Sequence, residues 1–151
     1  SLIQNEHETR RLMELTDPRY VWLTADTSHL TLGGMDALQI IEDYSPQVAE
    51  IHYKDAPTHL RGNKTVAVPK TGPESGGHGW FRNLVGDKDR PDSNGVDFPA
   101  IQAFLIKQNY KGWVVLDLDA SMIPKGMDME QNLKSNIKYL VDVLHVDPNT
   151  V

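Results

Sequence analysis

Three strand-like segments of this chain each end in a side chain of a type that binds metal ions. The three residues are Asp26, His52 and Asp117, and helix-like segments separate the strands that carry them. Parallel α/β folds place their chemistry where the strands end, at the carboxyl edge of the sheet. Carboxylate and imidazole groups together suit a hard or borderline divalent cation. This pattern restricts the chain to a parallel α/β fold with a candidate metal site at one edge.

The spacing of apolar residues and turn signals predicts the element order α-β-α-β-loop-α-β-α. Strands are predicted over residues 20–26, 48–52 and 113–119. The first helix begins at the N-cap residue Asn5 and ends near Leu15, and the second lies between Gly34 and Pro46. A helix between successive strands implies parallel strands joined by right-handed crossovers.

Two further helices follow the long loop. The first begins at the N-cap Asp97, and the second begins near Asp128 with Gln131 as its capping-box partner. Both carry an apolar stripe, which predicts amphipathic helices that each pack on a neighbour. The stripes consist of Phe98, Ile101, Phe104 and Leu105 in the first helix, and of Met129, Leu133, Ile137, Leu140 and Leu144 in the second.

The two faces of the predicted sheet differ in polarity, because side chains alternate along each strand. One face carries apolar residues such as Ala25, Ile51 and Leu116. The opposite face is mixed, and consists of Trp22, Thr24, Asp26, Glu50, His52, Lys54, Trp113, Val115, Asp117 and Asp119. An open sheet covered by helices on both sides would be apolar on both faces. The mixed face therefore predicts the interior of a (β/α)₈ TIM barrel, with Trp22 and Trp113 in the barrel core.

A full barrel of this kind needs about 250 residues, and the chain has 151. We therefore expect one partial domain over residues 1–151 that supplies the last three β/α units, with one helix before them. Either an N-terminal half precedes Ser1, or the half-barrel pairs with another chain to cover its edges. Residues 56–96 are predicted to form a long Gly-rich insertion. The sequence does not distinguish a lid over the barrel mouth from an untethered loop.

Composition excludes several classes of partner. A formal net charge of −6 argues against nucleic acid, which needs a basic surface. No apolar run approaches the roughly 18 residues of a membrane span. The absence of cysteine excludes disulfides and thiolate metal sites. Together these features predict a cytoplasmic protein that binds neither nucleic acid nor membrane.

Each candidate residue also has an ordinary structural interpretation. Asp26 can cap the loop that follows it, and His52 can be a buried core histidine. Asp117 can be a capping or ion-paired carboxylate. Lys54 and Asp55 are adjacent in sequence and can form a solvated or mutually paired charge couple.

Two further candidates lie in loops. His29 follows Asp26 by three residues and is predicted to contact substrate, with a surface histidine as the alternative. Arg61 lies in the Gly-rich insertion, from which its guanidinium would reach a phosphate or carboxylate.

Five short motifs, in order along the chain, resemble the sugar phosphate isomerase/epimerase superfamily. This is the xylose-isomerase-like barrel group that includes inosose dehydratases and ketose epimerases. The likeness covers most of the chain outside residues 56–95, and it specifies the superfamily better than the substrate. The motifs are Thr16-Asp17-Pro18, Asp26-Thr27-Ser28-His29, His52-Tyr53-Lys54-Asp55, Val96-Asp97-Phe98-Pro99 and Tyr110-Lys111-Gly112-Trp113.

The resemblance implies a divalent metal at the barrel mouth, with Mn²⁺ expected first and Mg²⁺, Co²⁺ or Zn²⁺ as alternatives. Asp26, His52 and Asp117 would be its ligands from the last three strands. A ligand from the preceding strand, usually a Glu, would lie before Ser1. Asp117 departs from the family pattern, in which Glu is usual, so its carboxylate is retracted by about one C–C bond.

The resemblance further implies a metal-dependent isomerase, epimerase or dehydratase that acts on a sugar or an inosose-like polyol. His29, Asp117 and Lys54 are the predicted catalytic residues, and His29, Asp55 and Arg61 are predicted to bind substrate. A homo-oligomer, or the missing half-barrel, is the expected protein partner. Two alternatives remain: a non-catalytic half-barrel that binds or oligomerises, and an endonuclease-like metal-dependent phosphodiesterase, against which the acidic charge counts.

Overall fold

The fold comes from a computed structural model that describes residues 3, 5–56, 95–118, 123 and 126–147. Three strands and five α-helices follow one another along these residues, with a single 3₁₀ turn before the second strand. In chain order they are α1 (Glu6–Leu15), β1 (Leu23–Asp26), α2 (Thr27–Leu32), α3 (Ala37–Asp43), β2 (Val48–Tyr53), α4 (Phe98–Lys107), β3 (Trp113–Leu116) and α5 (Met129–Asp142).

The predicted order of strands and helices is confirmed, with one helix that the sequence pattern did not predict. That helix, α2, starts directly after β1 and is only six residues long. Five of its six residues are buried, so no amphipathic stripe distinguishes it from a loop. The strands β1 and β3 are shorter than predicted, because the paired residues begin at Leu23 in β1 and end at Leu116 in β3.

The three strands form one parallel sheet in the order β1-β2-β3, as predicted. Asp26 at the end of β1 is paired with His52 of β2, and His52 is paired with Val115 of β3. A backbone hydrogen bond of 3.2 Å from Asp117 N to the Tyr53 carbonyl continues the ladder past β3. This register brings the ends of all three strands to one edge of the sheet.

The core lies on the predicted apolar face of the sheet. Ala25, Ile51 and Tyr53 are fully buried there, and α3 and α4 supply the residues that pack on them. Tyr53 contacts Phe98 of α4 with ring centroids 5.1 Å apart, and its hydroxyl donates to Gln102 Oε1 at 2.9 Å. The core therefore packs on one face of the sheet, and the opposite, mixed face carries the polar strand residues.

The mixed face is open in the described part of the chain. Trp22 is 52% exposed and Trp113 is 72% exposed, so the prediction that both are buried barrel core is wrong for these residues. The physical reason is that three parallel strands do not close on themselves into a barrel. The alternation that placed both tryptophans on the mixed face is confirmed.

The predicted helix caps are present. Asn5 accepts a hydrogen bond from Glu8 N at the start of α1, and Asp97 accepts one from Ala100 N at the start of α4. Asp128 and Gln131 form the reciprocal capping box of α5. These local signals fix where the helices begin.

The predicted packing of α5 is wrong at three of its five apolar positions. Met129, Leu133 and Ile137 are 44%, 41% and 41% exposed, and only Leu140 and Leu144 contribute to the core. The fully buried residues of this helix are instead Asn132 and Asn136. Among the described helices, none is both long and apolar enough to cross a lipid bilayer.

Candidate metal centre and active site

Asp26, His52 and Asp117 come together at the carboxyl edge of the sheet, as their positions in the sequence predict. One ligand atom from each residue lies within 4.8 Å of the other two. The Nδ1 atom of His52 lies 3.9 Å from Asp26 Oδ2 and 3.7 Å from Asp117 Oδ2. All three side chains are partly buried, at 17% to 29% exposure, so they are shielded and still reachable from the open face. Two carboxylates and one imidazole in this arrangement can hold a divalent cation.

The two carboxylate oxygens of Asp26 make different contacts. Its Oδ1 accepts a hydrogen bond of 2.9 Å from His29 N and so caps α2. Its Oδ2 is the oxygen that faces His52. The capping interpretation and the ligand interpretation of Asp26 are therefore compatible, because the cap fixes the orientation of the carboxylate.

Thr27 ties the end of β1 to the end of β2, although the sequence analysis did not single it out. Its hydroxyl lies 3.0 Å from the His52 carbonyl and 2.6 Å from the Lys54 carbonyl, and it accepts from Lys54 N at 3.1 Å. Thr27 is fully buried. The sequence signal for this role was a Thr directly after a strand-end carboxylate. In the structure Thr27 holds Asp26 and His52 in fixed relative positions.

Lys54 is bonded to the third member of the cluster. Its ammonium Nζ lies 2.6 Å from Asp117 Oδ2, and its side chain is buried. The contact follows from the register, which carries Lys54 beside Asp117 on the mixed face. The sequence left two interpretations of Asp117, an ion-paired carboxylate and a metal ligand. In the structure Asp117 is ion-paired with Lys54 and also lies beside His52.

His29 and Glu50 each lie beside one member of the cluster. His29 Nε2 is 3.9 Å from Asp26 Oδ2, and its side chain is 62% exposed. Glu50 Oε1 is 3.6 Å from His52 Nε2. The carboxylates of Asp26, Glu50 and Asp117 outnumber the one ammonium of Lys54, so the formal charge of the site is negative and attracts a cation.

The influence of Glu50 extends to a neighbouring tyrosine. Burial, followed by the negative charge of Glu50, raises the pKa of Tyr110. The hydroxyl of Tyr110 also explains the glycine two residues later. A Cβ atom on Gly112 would overlap Tyr110 Oη and would lie 2.5 Å from the Ala49 carbonyl oxygen, so only glycine fits at the entry to β3.

Asp55 is separate from the cluster. It is fully buried, and its Oδ1 accepts a hydrogen bond of 3.1 Å from Val96 N. These contacts give Asp55 a structural role, and substrate binding by it stays a prediction. Arg61 and Asp119 lie outside the described residues, as does nearly all of the predicted 56–96 insertion.

The family of the chain follows from comparison with known proteins. The sequence profile of the xylose isomerase-like TIM barrel family matches residues 1–143, and the chain therefore belongs to this family. Its three parallel strands with intervening helices form part of such a barrel. The resemblance inferred from the five short motifs is confirmed at the level of the family.

Its curated relatives include inosose dehydratases from several bacteria. The chain is 31% identical over 121 residues to the inosose dehydratase of Geobacillus kaustophilus, a match that covers 79% of this chain and 36% of that protein. It is 28% identical over 144 residues to that of Salmonella typhimurium, covering 94% and 44% respectively. It is 30% identical over 148 residues to that of Lacticaseibacillus casei, covering 95% and 45%. The chain thus spans less than half the length of these relatives.

Proposed function

We propose that this chain carries the metal-binding edge of an isomerase, epimerase or dehydratase that acts on a sugar or polyol of the inosose type. The observation that supports this most is the cluster of Asp26, His52 and Asp117 at the strand ends of a parallel sheet. The family and the inosose dehydratases among the relatives support the substrate class.

Asp26, His52 and Asp117 would hold one divalent cation, with Mn²⁺ as the first candidate and Mg²⁺, Co²⁺ or Zn²⁺ as alternatives. The donor set fits such an ion, because it combines two hard carboxylates with one borderline imidazole within 4.8 Å. When bound, the cation would polarise a substrate carbonyl and so acidify the neighbouring C–H bond.

The reaction then needs a base, an acid and charge stabilisation from the protein. A carboxylate at the site, for which Asp117 is the candidate, would take the proton from the carbon beside the carbonyl. The buried ammonium of Lys54 lies 2.6 Å from that carboxylate and would offset negative charge that develops on the substrate. An oxygen of Asp117 that binds the cation cannot act as the base at the same time. One oxygen of Asp117 would therefore bind the cation, and the other would accept the proton.

His29 would exchange a proton with a substrate oxygen, because its side chain is exposed beside Asp26. In isomerisation or epimerisation, the carbon that lost the proton regains one. In dehydration, the hydroxyl group on the next carbon leaves as water with a proton from His29. Dehydration therefore removes one H and one OH from the substrate, which together make one molecule of water.

A chain without catalytic activity is the second candidate, and one observation favours it. The ammonium of Lys54 already neutralises Asp117 Oδ2, which is also one of the three candidate ligand atoms. If this ion pair persists, Asp117 offers a cation only its other oxygen, and the weakened ligand set would hold a divalent ion less tightly.

Calorimetric titration of the 151-residue chain with Mn²⁺ and Co²⁺ distinguishes the two candidates. We expect one bound ion per chain, and a decrease in affinity of at least tenfold in His52→Ala and Asp26→Asn. Glu42→Gln, an exposed change on α3, is the matched control and should bind as the wild type does. Activity is followed by the entry of solvent deuterium at the carbon beside the carbonyl of an inosose. A chain that binds no divalent ion and exchanges no deuterium would refute the proposal for this chain.

A further inference from the structure

Glu50 faces the side of His52 that is turned away from the candidate metal ligands. The Nδ1 atom of His52 lies 3.9 Å and 3.7 Å from the carboxylates of Asp26 and Asp117, while its Nε2 atom lies 3.6 Å from Glu50 Oε1. The two ring nitrogens of an imidazole point in different directions. A carboxylate at Nε2 therefore cannot reach an ion that is bound at Nδ1 unless the ring turns.

The position of Glu50 follows from the strand itself. Glu50 and His52 are two residues apart in β2, so their side chains emerge from the same face of the sheet. Glu50 is paired with Thr24 of β1 and Trp113 of β3, one step further from the carboxyl edge than His52. It therefore lies beneath His52, and Asp26 and Asp117 flank the other ring nitrogen.

A neutral imidazole binds a metal through one nitrogen and donates a proton from the other. Histidine ligands almost always donate that proton to a carboxylate, a carbonyl or a water molecule, and the partner fixes the tautomer and orientation of the ring. The side chain of Glu50 is 37% exposed and is not part of the Asp26, His52 and Asp117 cluster.

We infer that Glu50 is a positioning residue, whose carboxylate accepts a hydrogen bond from Nε2–H of His52 and so presents Nδ1 to the cation. The part of this inference that concerns the cation rests on the proposed function. The part that concerns the tautomer rests on the distance between His52 and Glu50. Glu50 would act only through His52 and would touch neither substrate nor metal.

The variants Glu50→Leu and Glu50→Gln test this assignment. In Glu50→Leu the affinity for Co²⁺, measured from the visible absorption of the bound ion, should decrease about 10- to 100-fold. Glu50→Gln keeps an oxygen that accepts from Nε2–H, so it should recover most of that affinity. Glu42→Gln removes one exposed carboxylate elsewhere and controls for the change in net charge.

A second measurement is made on the metal-free chain. Nitrogen-15 spectra of His52 should show a larger fraction of the Nε2-protonated tautomer in the wild type and in Glu50→Gln than in Glu50→Leu. If Glu50→Leu changes the tautomer fractions but the wild type binds no divalent ion, the proposed function fails and the role of Glu50 in fixing the tautomer stands. If the tautomer and the Co²⁺ affinity are the same in all three proteins, the role of Glu50 is refuted and the proposed function is unaffected.

Discussion

The helices α4 and α5 have similar sequence signals and opposite patterns of burial. Each begins at an Asp cap, and each carries an apolar stripe at helical spacing. In α4 the stripe is buried, with Phe98 at 1% and Ile101 at 0% exposure. In α5 the stripe residues Leu133 and Ile137 are each 41% exposed, whereas Asn132 on another face is fully buried.

The difference shows what an amphipathic pattern determines and what it leaves undetermined. Helical periodicity fixes which residues share a face, but the neighbouring elements decide which face is buried. The α4 helix lies against β2, and Phe98 meets Tyr53 there. The α5 helix reaches the same core through Tyr139, whose ring lies edge-on to Phe98 with centroids 6.4 Å apart.

The largest difference between the two helices is expected from truncation of their apolar residues. Phe98→Ala should lower the free energy of unfolding by about 3–5 kcal/mol, because it leaves a cavity between Tyr53 and Tyr139. Leu133→Ala should cost less than about 1 kcal/mol, because 41% of Leu133 is already in contact with solvent. Urea denaturation measures both values. Equal losses would show that the α5 stripe is buried in solution and would remove the contrast.

An intermediate effect is expected from the buried polar pair of α5. Asn136 Nδ2 donates to the Asn132 carbonyl at 2.8 Å and lies 3.3 Å from Asn132 Oδ1. Asn136→Ala leaves those buried acceptors without this donor and should cost about 1–3 kcal/mol. Lys138→Ala breaks only an exposed ion pair with Asp142 and should cost less than about 0.5 kcal/mol. Thermal unfolding followed by circular dichroism compares the two variants, and a neutral Asn136→Ala would mean that the helix does not depend on this pair.

The smallest effect is expected at alkaline pH, where Tyr53 of β2 and Tyr139 of α5, which both contact Phe98 of α4, respond in the same direction. Burial raises the pKa of Tyr53 and of Tyr139, and the charges of Asp55 and Asp97 raise that of Tyr139 further. In the unfolded chain both phenols ionise near their ordinary pKa of about 10. Because the folded state keeps them protonated, their contribution to stability is complete below about pH 10 and is lost as the pH rises above that value.

Tyr139→Phe removes one ionisable group and keeps the ring that contacts Phe98. The urea midpoint of this variant should therefore fall less between pH 9 and about pH 11 than that of the wild type. Parallel decreases in the two proteins would show that Tyr139 does not contribute to the alkaline loss.

Local signals predicted much of this fold, since a cap depends on residues only three positions apart. Asn5, Asp97 and Asp128 each begin the helix that their sequence context predicted. The meeting of Asp26, His52 and Asp117 was also predictable, because parallel strands end at a common edge. The family resemblance came from short motifs of the same local kind.

The partners of individual side chains in the folded sheet were harder to predict. Lys54 and Asp55 are neighbours in the sequence, but Lys54 bonds to Asp117 and Asp55 bonds to Val96. Alternation along the strand separates the two side chains, and only the folded sheet determines what each one meets. The open face around Trp113 and the exposed stripe of α5 likewise depend on which elements cover them, information that periodicity does not contain.

The bond between Asp55 and Val96 has a consequence for protein engineering. These residues are 41 positions apart, and a second bond from Gly95 N to the Ala56 carbonyl closes the same junction. The two bonds join buried residues on either side of positions 57–94. An insertion at one of those positions leaves the four joined residues unchanged, so such variants should keep this junction.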